Sequence, residues 1–231
     1  MGDTDRPVIE VTIAAPADAV WHALRDKDQL RRWHGWDYPE NGGLDAEIDT
    51  IFFSELTEDP VARRLALGSG DTFTIEEVPG GSRLRITRGA KTGGEWDEYY
   101  DDITQGWTSF AQQLRFLLER HDGDERRTLF FTSTGQEPLE ALGLTGVAEN
   151  EVGKRYDAEL AGKAIGGEVW FRTEHQLGLT VEGWGDGLLV VAYNPAKSAA
   201  MAILSTYGRS DAELAALGEG WGAAWSNNYQ L

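Results

Sequence analysis

The chain has 231 residues, 41% of them hydrophobic, and no cysteine. That length can bury one large core or two small ones, and the lack of thiols excludes disulfides, cysteine–zinc sites and thiol nucleophiles. A formal net charge of -18, acidic in both halves of the chain, argues against a surface built to neutralise nucleic-acid phosphates or to lie on anionic lipid.

The acidity reads as solubility, with a cationic partner as the other reading. No apolar run approaches the ~18 residues that would span a bilayer. Residues 1–6 are acidic and polar, unlike a secretory signal, and Arg6 departs from the myristoylation pattern. The expected location is cytoplasmic.

Residues 8–13 alternate, with Ile9, Val11 and Ile13 on one side and Glu10 and Thr12 on the other. This predicts a half-buried strand. Pro16 at a first helical position, with Asp18 in the first turn, predicts a helix that puts Ala17, Val20, Trp21 and Leu24 on one face. A second short helix is expected over residues 27–33. Residues 44–90 read as strands, with Val61, Leu65 and Leu67 sharing one side. Pro79-Gly80-Gly81-Ser82 marks a hairpin whose acidic arm, Glu76 and Glu77, faces Arg83 and Arg85. Asp102 and Gln105 form a box-like cap for a long helix, with Ile103, Trp107, Phe110, Leu114 and Leu117 at helical spacing. That helix is expected to end near Arg120 or His121.

Residues 121–125 are polar, contain Gly123 and mark the boundary between segments 1–122 and 123–231. The second segment restarts the plan, with strands over 128–132, 168–173, 177–182 and 187–193 and a short helix over 137–142. Ser210 and Glu213 form a capping box for a last helix striped by Leu214, Leu217, Trp221 and Trp225. Gly218, Gly220 and Gly222 inside it are expected to serve close packing. A faint repeat pairs Asp45-Ala46-Glu47-Ile48 with Asp157-Ala158-Glu159-Leu160, and Gly106-Trp107 with Gly220-Trp221.

The stretch Glu10-Val-Thr-Ile-Ala-Ala-Pro-Ala-Asp-Ala-Val-Trp-His-Ala-Leu24 resembles the opening of the START-like superfamily, also called the SRPBCC, polyketide cyclase or helix-grip superfamily. Leu30-Arg-Arg-Trp33 resembles the Leu-x-x-Trp of its second helix, and Ile103-Thr-Gln-Gly-Trp107 the start of its closing helix. The nearest branch is similar to the bacterial relatives of the heat-shock-protein-ninety ATPase activator domain. The resemblance covers about residues 8–121 and implies an α+β helix-grip fold. In that fold a curved antiparallel sheet wraps a long C-terminal helix, with a cavity between them. Residues 123–231 resemble a second, shortened copy.

The cavity that the resemblance implies would draw on Trp36, Tyr38, Trp96, Trp107, Phe110 and Leu114, with Trp33 and His34 beside its mouth. The same aromatics could equally fill a core. Three readings follow. The first is a non-catalytic binder of a small apolar or aromatic molecule, with Trp107 and Tyr38 offering donors. The second is a cyclase- or hydratase-type enzyme using Tyr38, His34 and Arg85, which needs at least two polar groups converging in one cavity. The third is a chaperone-activator-like module that docks on a protein partner. Glu95, Asp97, Glu98, Asp101 and Asp102 read as a solvated acidic stretch rather than a metal site. Ala90-Lys91-Thr92 lacks the glycines of a phosphate-binding loop. No cofactor, nucleic acid or membrane is expected.

Overall fold

A computed structural model describes residues 6–91, 93, 95–121, 123–135 and 137–228. Strand β1 (Val8–Ile13) has the alternation its sequence predicts, Ile9, Val11 and Ile13 inward. Pro16 caps helix α1 (Ala17–Arg25) rather than starting it, and Val20 and Leu24 are fully buried on one face. Asp26 then accepts from Gln29 N–H to cap α2 (Lys27–Arg31).

Residues 44–54 are helical, not strand. Helix α3 (Gly43–Asp49) runs into a π-helical turn over Thr50–Ser54. The reason is visible in the spacing: Leu44, Ile48 and Phe52 recur every fourth residue, and all three are buried. Strands β2 (Leu56–Asp59), β3 (Arg64–Leu67), β4 (Thr72–Val78) and β5 (Gly81–Thr87) follow. Val61 does not join Leu65 and Leu67 inside. The Asp59 carboxylate accepts from the N–H groups of Val61 and Ala62, forming a turn that leaves Val61 94% exposed.

Among the described residues these five strands form one antiparallel sheet in the order β1-β5-β4-β3-β2. In the β4–β5 hairpin Glu76 does face Arg83. Arg85 instead reaches Glu10 on β1, 3.1 Å away, and Glu77 meets Arg63. Helix α4 (Tyr100–Arg120) closes the unit, running beside β1 and laying Trp107, Ala111, Leu114 and Leu117 on the inner face of the sheet. It starts two residues before the expected cap. Tyr99 is the N-cap without a side-chain bond, and Asp101 and Asp102 sit in the first turn, where their charge suits the helix dipole. His121 ends it.

The chain divides into two compact units, Met1–Gly123 and Asp124–Leu231. The second begins with β6 (Arg126–Thr134), α5 (Pro138–Ala141) and α6 (Thr145–Ala148). Strands β7 (Arg155–Leu160), β8 (Lys163–Arg172), β9 (Gln176–Val181), β10 (Gly187–Asn194) and β11 (Ala199–Tyr207) precede helix α7 (Asp211–Asn228). Its sheet order, β6-β11-β10-β9-β8-β7, repeats that of the first unit: the first strand pairs with the last, and hairpins lead back across the sheet. The shortening of this copy lies in α5 and α6, of four residues each, and not in its sheet. Trp221 and Trp225 of α7 pack with Phe131 and Trp184 on the inner face. The tetrapeptide echo has no structural counterpart, since residues 45–48 lie in α3 and 157–160 in β7. The Gly-Trp echo does, since Trp107 and Trp221 are both buried on closing helices.

Candidate functional site

Three polar side chains converge in the first unit. His34 is fully buried, and its Nε2 lies 3.0 Å from Glu47 Oε1. The Tyr38 hydroxyl donates to Glu47 Oε2 at 2.9 Å. Short-range geometry makes this possible. The chain leaves α2 with the Trp33 indole donating to the Ala23 carbonyl and the Trp33 carbonyl accepting from Gln113 of α4. It then turns at Gly35, whose φ of 53° suits glycine. A Cβ there would stand 3.0 Å from Leu44 Cδ1 and 3.9 Å from the Glu47 carboxylate, so Gly35 also leaves room for α3 to bring Glu47 close.

The surroundings are aromatic. The His34 ring lies 4.7 Å from that of Phe110 and 5.1 Å from that of Phe52, with Trp33 and Trp107 next. Phe110 continues the wall outward to the half-buried Trp36, 6.2 Å away. Burial opposes ionisation of Glu47. The hydrogen bonds from His34 and Tyr38, with the charge of His34, outweigh it and hold the carboxyl below its ordinary range. Burial, together with the hydrogen bond to Glu47, pushes the Tyr38 phenol up to about 12. At neutral pH the pair is therefore a carboxylate and a neutral phenol.

A second buried network fixes the floor. Asp71, 1% exposed, accepts from Arg88 Nε at 3.1 Å, Gly89 N–H at 2.7 Å and Trp107 Nε1 at 2.9 Å. Tyr100 donates to the Gly89 carbonyl, and its ring lies 4.7 Å from the Arg88 guanidinium carbon.

Of the residues singled out in the sequence, Trp36, Phe110 and Trp107 form one contiguous wall, and Tyr38 joins it through Glu47 and His34. Leu114 is fully buried in the core beneath. The Trp96 side chain lies outside the described residues. The Trp107 indole is not a spare donor, because Asp71 takes its N–H. Arg85 is on the outer side of the sheet with Glu10, away from Tyr38 and His34, because β5 alternates and Leu84 and Ile86 take the inner side. Sequence reading missed Glu47 and Asp71. Glu47 becomes visible once residues 44–52 are read as a helix on the Leu44–Ile48–Phe52 spacing. Among the described residues no group of three or more His, Asp or Glu side chains is placed to hold a metal, and no helix is long and apolar enough to cross a membrane.

The architecture of each unit, an antiparallel sheet whose first strand pairs with its last and one face of which receives a long C-terminal helix, is the helix-grip, START-like fold. No family model matches the sequence, and no curated protein matches it. Among solved structures, the chain is similar to DynU16, a protein of the dynemicin biosynthetic locus, at 17% identity over 97% of this chain and 96% of that one, with a TM-score of 0.35. It is similar to the di-domain ARO/CYC BexL from the BE-7585A biosynthetic pathway at 10% identity over 99% of both chains, with a TM-score of 0.35. The Aha1 dimer from Colwellia psychrerythraea matches 51% of this chain over 98% of its own, at 17% identity and a TM-score of 0.37. Likenesses at this identity and score carry no substrate or reaction over to this chain.

Proposed function

We propose that the first unit binds a small apolar or aromatic molecule at the wall formed by Trp36, Tyr38 and Phe110, without catalysing a reaction on it. The observation that supports this most is the Tyr38–Glu47–His34 cluster set into an aromatic surround. Ligand sites are mostly apolar surfaces with a few convergent polar groups that fix orientation. Glu47 keeps 30% of its side chain exposed, so its carboxylate can accept from a ligand hydroxyl or amine while Trp36 and Phe110 cover the apolar body. Trp107 and Leu114 hold that wall from behind.

The enzyme reading asks for two polar groups converging in one cavity, and Tyr38 and His34 supply the convergence through Glu47. General acid–base catalysis works best when the group titrates near the working pH. Here the carboxyl is held low and the phenol is pushed up to about 12, so both are displaced from neutrality in the unhelpful direction. Neither the carboxyl nor the phenol is therefore poised to exchange a proton at neutral pH, which suits a fixed binding geometry for those two groups.

The test is native mass spectrometry of the purified full chain, followed by titration of apolar aromatic compounds against tryptophan fluorescence. A stoichiometric apolar adduct, or saturable quenching weakened by Trp36→Ala and Phe110→Ala, is the expected result. Quenching untouched by both substitutions, together with clean apo protein, would sink the proposal.

A further inference from the structure

We propose that the second unit carries its own small-molecule site, which takes a neutral, phenol-sized molecule bearing one hydroxyl or carbonyl oxygen. A pocket of ≈ 210 Å³ opens between α5, the end of α6, the β8–β9 turn and β10. No residue of α7 lines it, so it is not the groove between sheet and closing helix. Its floor is apolar: Pro138, Leu139, Leu177 and Val191.

Polar groups at its rim have unused capacity. The His175 ring has no hydrogen-bond partner among the described residues, since only its backbone bonds, to Thr173 and Tyr193. Arg172 is anchored by Nη1, which donates to the carbonyls of Ala148 and Asn150. Its Nε and Nη2 have no partner among the described residues. An oxygen held by His175 and Arg172, with an apolar body on the floor, satisfies both halves of the pocket.

Size and charge narrow the class. The volume is below the ≈ 300–1,000 Å³ of pockets that take drug-sized ligands, which confines the class to a molecule about the size of a single substituted ring. Two carboxylates, Glu137 and Glu174, line the same pocket as Arg172. The Glu137 carboxylate is turned to the Glu140 N–H as the cap of α5. The rim therefore has no net positive charge, and the chain as a whole carries -18. An anionic ligand gains nothing from that field, whereas a neutral oxygen still finds donors.

The experiment is a titration of the full chain with para-fluorophenol, followed by fluorine NMR and by the His175 ring protons, which His175→Ala identifies by their loss. Saturation in the millimolar range with movement of the His175 signals is expected. Leu139→Trp and Ala148→Phe, which enlarge lining side chains on α5 and α6, should each weaken binding at least about tenfold. Whichever of them keeps the wild-type circular dichroism and unfolding midpoint decides the matter. Para-fluorotoluene and para-fluorobenzoate should both bind more weakly than the phenol. Absence of saturation, unmoved His175 signals or His175 shifts that survive a folded filling variant would overturn the site. Equal affinity for para-fluorotoluene would overturn the role of His175 and Arg172. The aromatic wall of the first unit can also take the phenol, so the titration is repeated in a Trp36→Ala/Phe110→Ala chain and only binding that moves the His175 signals is counted, which lets this site fail while that of the first unit stands.

Discussion

Asp71 shows how one residue can organise a site it does not join. Its carboxylate is buried against Arg88, Gly89 and Trp107, and Arg88 is itself 4% exposed. Removing one partner of a buried pair leaves an uncompensated charge, at a cost of about 3–5 kcal/mol. Asp71→Ala is expected to destabilise the chain by that amount in urea unfolding, and Asp71→Asn by less, because its one amide oxygen still accepts from either Gly89 or Trp107, which bond to different oxygens of the carboxylate. A loss below about 1 kcal/mol, the worth of an exposed pair, would show the network to be incidental. The Tyr38–Glu47 pair makes a pH prediction. A carboxyl held low in the fold stabilises it above the ordinary value of 4.5, and that contribution is lost as pH falls through the lower folded value. A phenol raised to about 12 stabilises the fold below its ordinary value of 10.0, and that contribution is lost as pH rises through 12. Glu47→Gln should therefore flatten the acid limb of the stability profile, and Tyr38→Phe should remove one high-pH step from the phenolate absorbance titration. Trp107 and Phe110 were legible as an inward stripe because helical spacing marks apolar faces. Glu47 and Asp71 were not, because a polar residue serving a buried network leaves no periodic trace.

At the scale of elements, strands with one buried face announce themselves by alternation, whereas of the strands buried on both faces the sequence discloses β9 and β10 but not β11. Strands β1, β4 and β5 bury one face and alternate, so their sequences announce them. β11 is buried on both faces over most of its length, and its run Ala-Ile-Leu-Ser-Thr lacks alternation, so periodicity passed over it. α3 was misread for the opposite reason. Its spacing is helical, but it sits among glycines and polar residues that read as loop and strand. The capping box at Ser210 formed as expected, with Ser210 N–H donating to Glu213 and Glu213 N–H to the Ser210 hydroxyl. The close packing expected of the α7 glycines is absent. A Cβ at Gly218 or Gly222 would lie 3.5 Å or more from Leu129 or Phe131, ordinary contact, and one at Gly220 would meet nothing within 4 Å. Gly220→Ala should therefore stabilise the chain by up to about 1 kcal/mol. Gly185 is the contrast: its φ is 73°, and a Cβ would fall 2.0 Å from the Tyr207 carbonyl oxygen. Gly185→Ala should be strongly destabilising, and thermal melts of the two variants should move in opposite directions.

For the whole molecule, the repeated strand order is the main architectural fact, and the sequence disclosed only part of it. The first copy was readable because its opening strand, proline and helix are intact. The second keeps the sheet but reduces the helices after its first strand to α5 and α6, removing the segment that carries the resemblance in the first. Charge acts across the whole chain. Exposed ion pairs such as Arg31 with Asp28 and Asp45, or Lys27 with Asp49, are worth about 0–1 kcal/mol each, and salt weakens them. Salt also screens the repulsion among the excess acids behind the charge of -18. The repulsion should dominate, because 39 acidic side chains face 21 Lys and Arg, which leaves 18 acids in excess. Raising sodium chloride from a few millimolar to about 0.15 M, where the screening length falls to about 8 Å, is expected to raise the thermal midpoint. Each kcal/mol of relieved repulsion corresponds to about 2–4 °C in a chain of this size. A midpoint that fell with salt would mean that the surface pairs outweigh the net charge, and the acidity would then need a cationic partner, rather than solubility, to account for it.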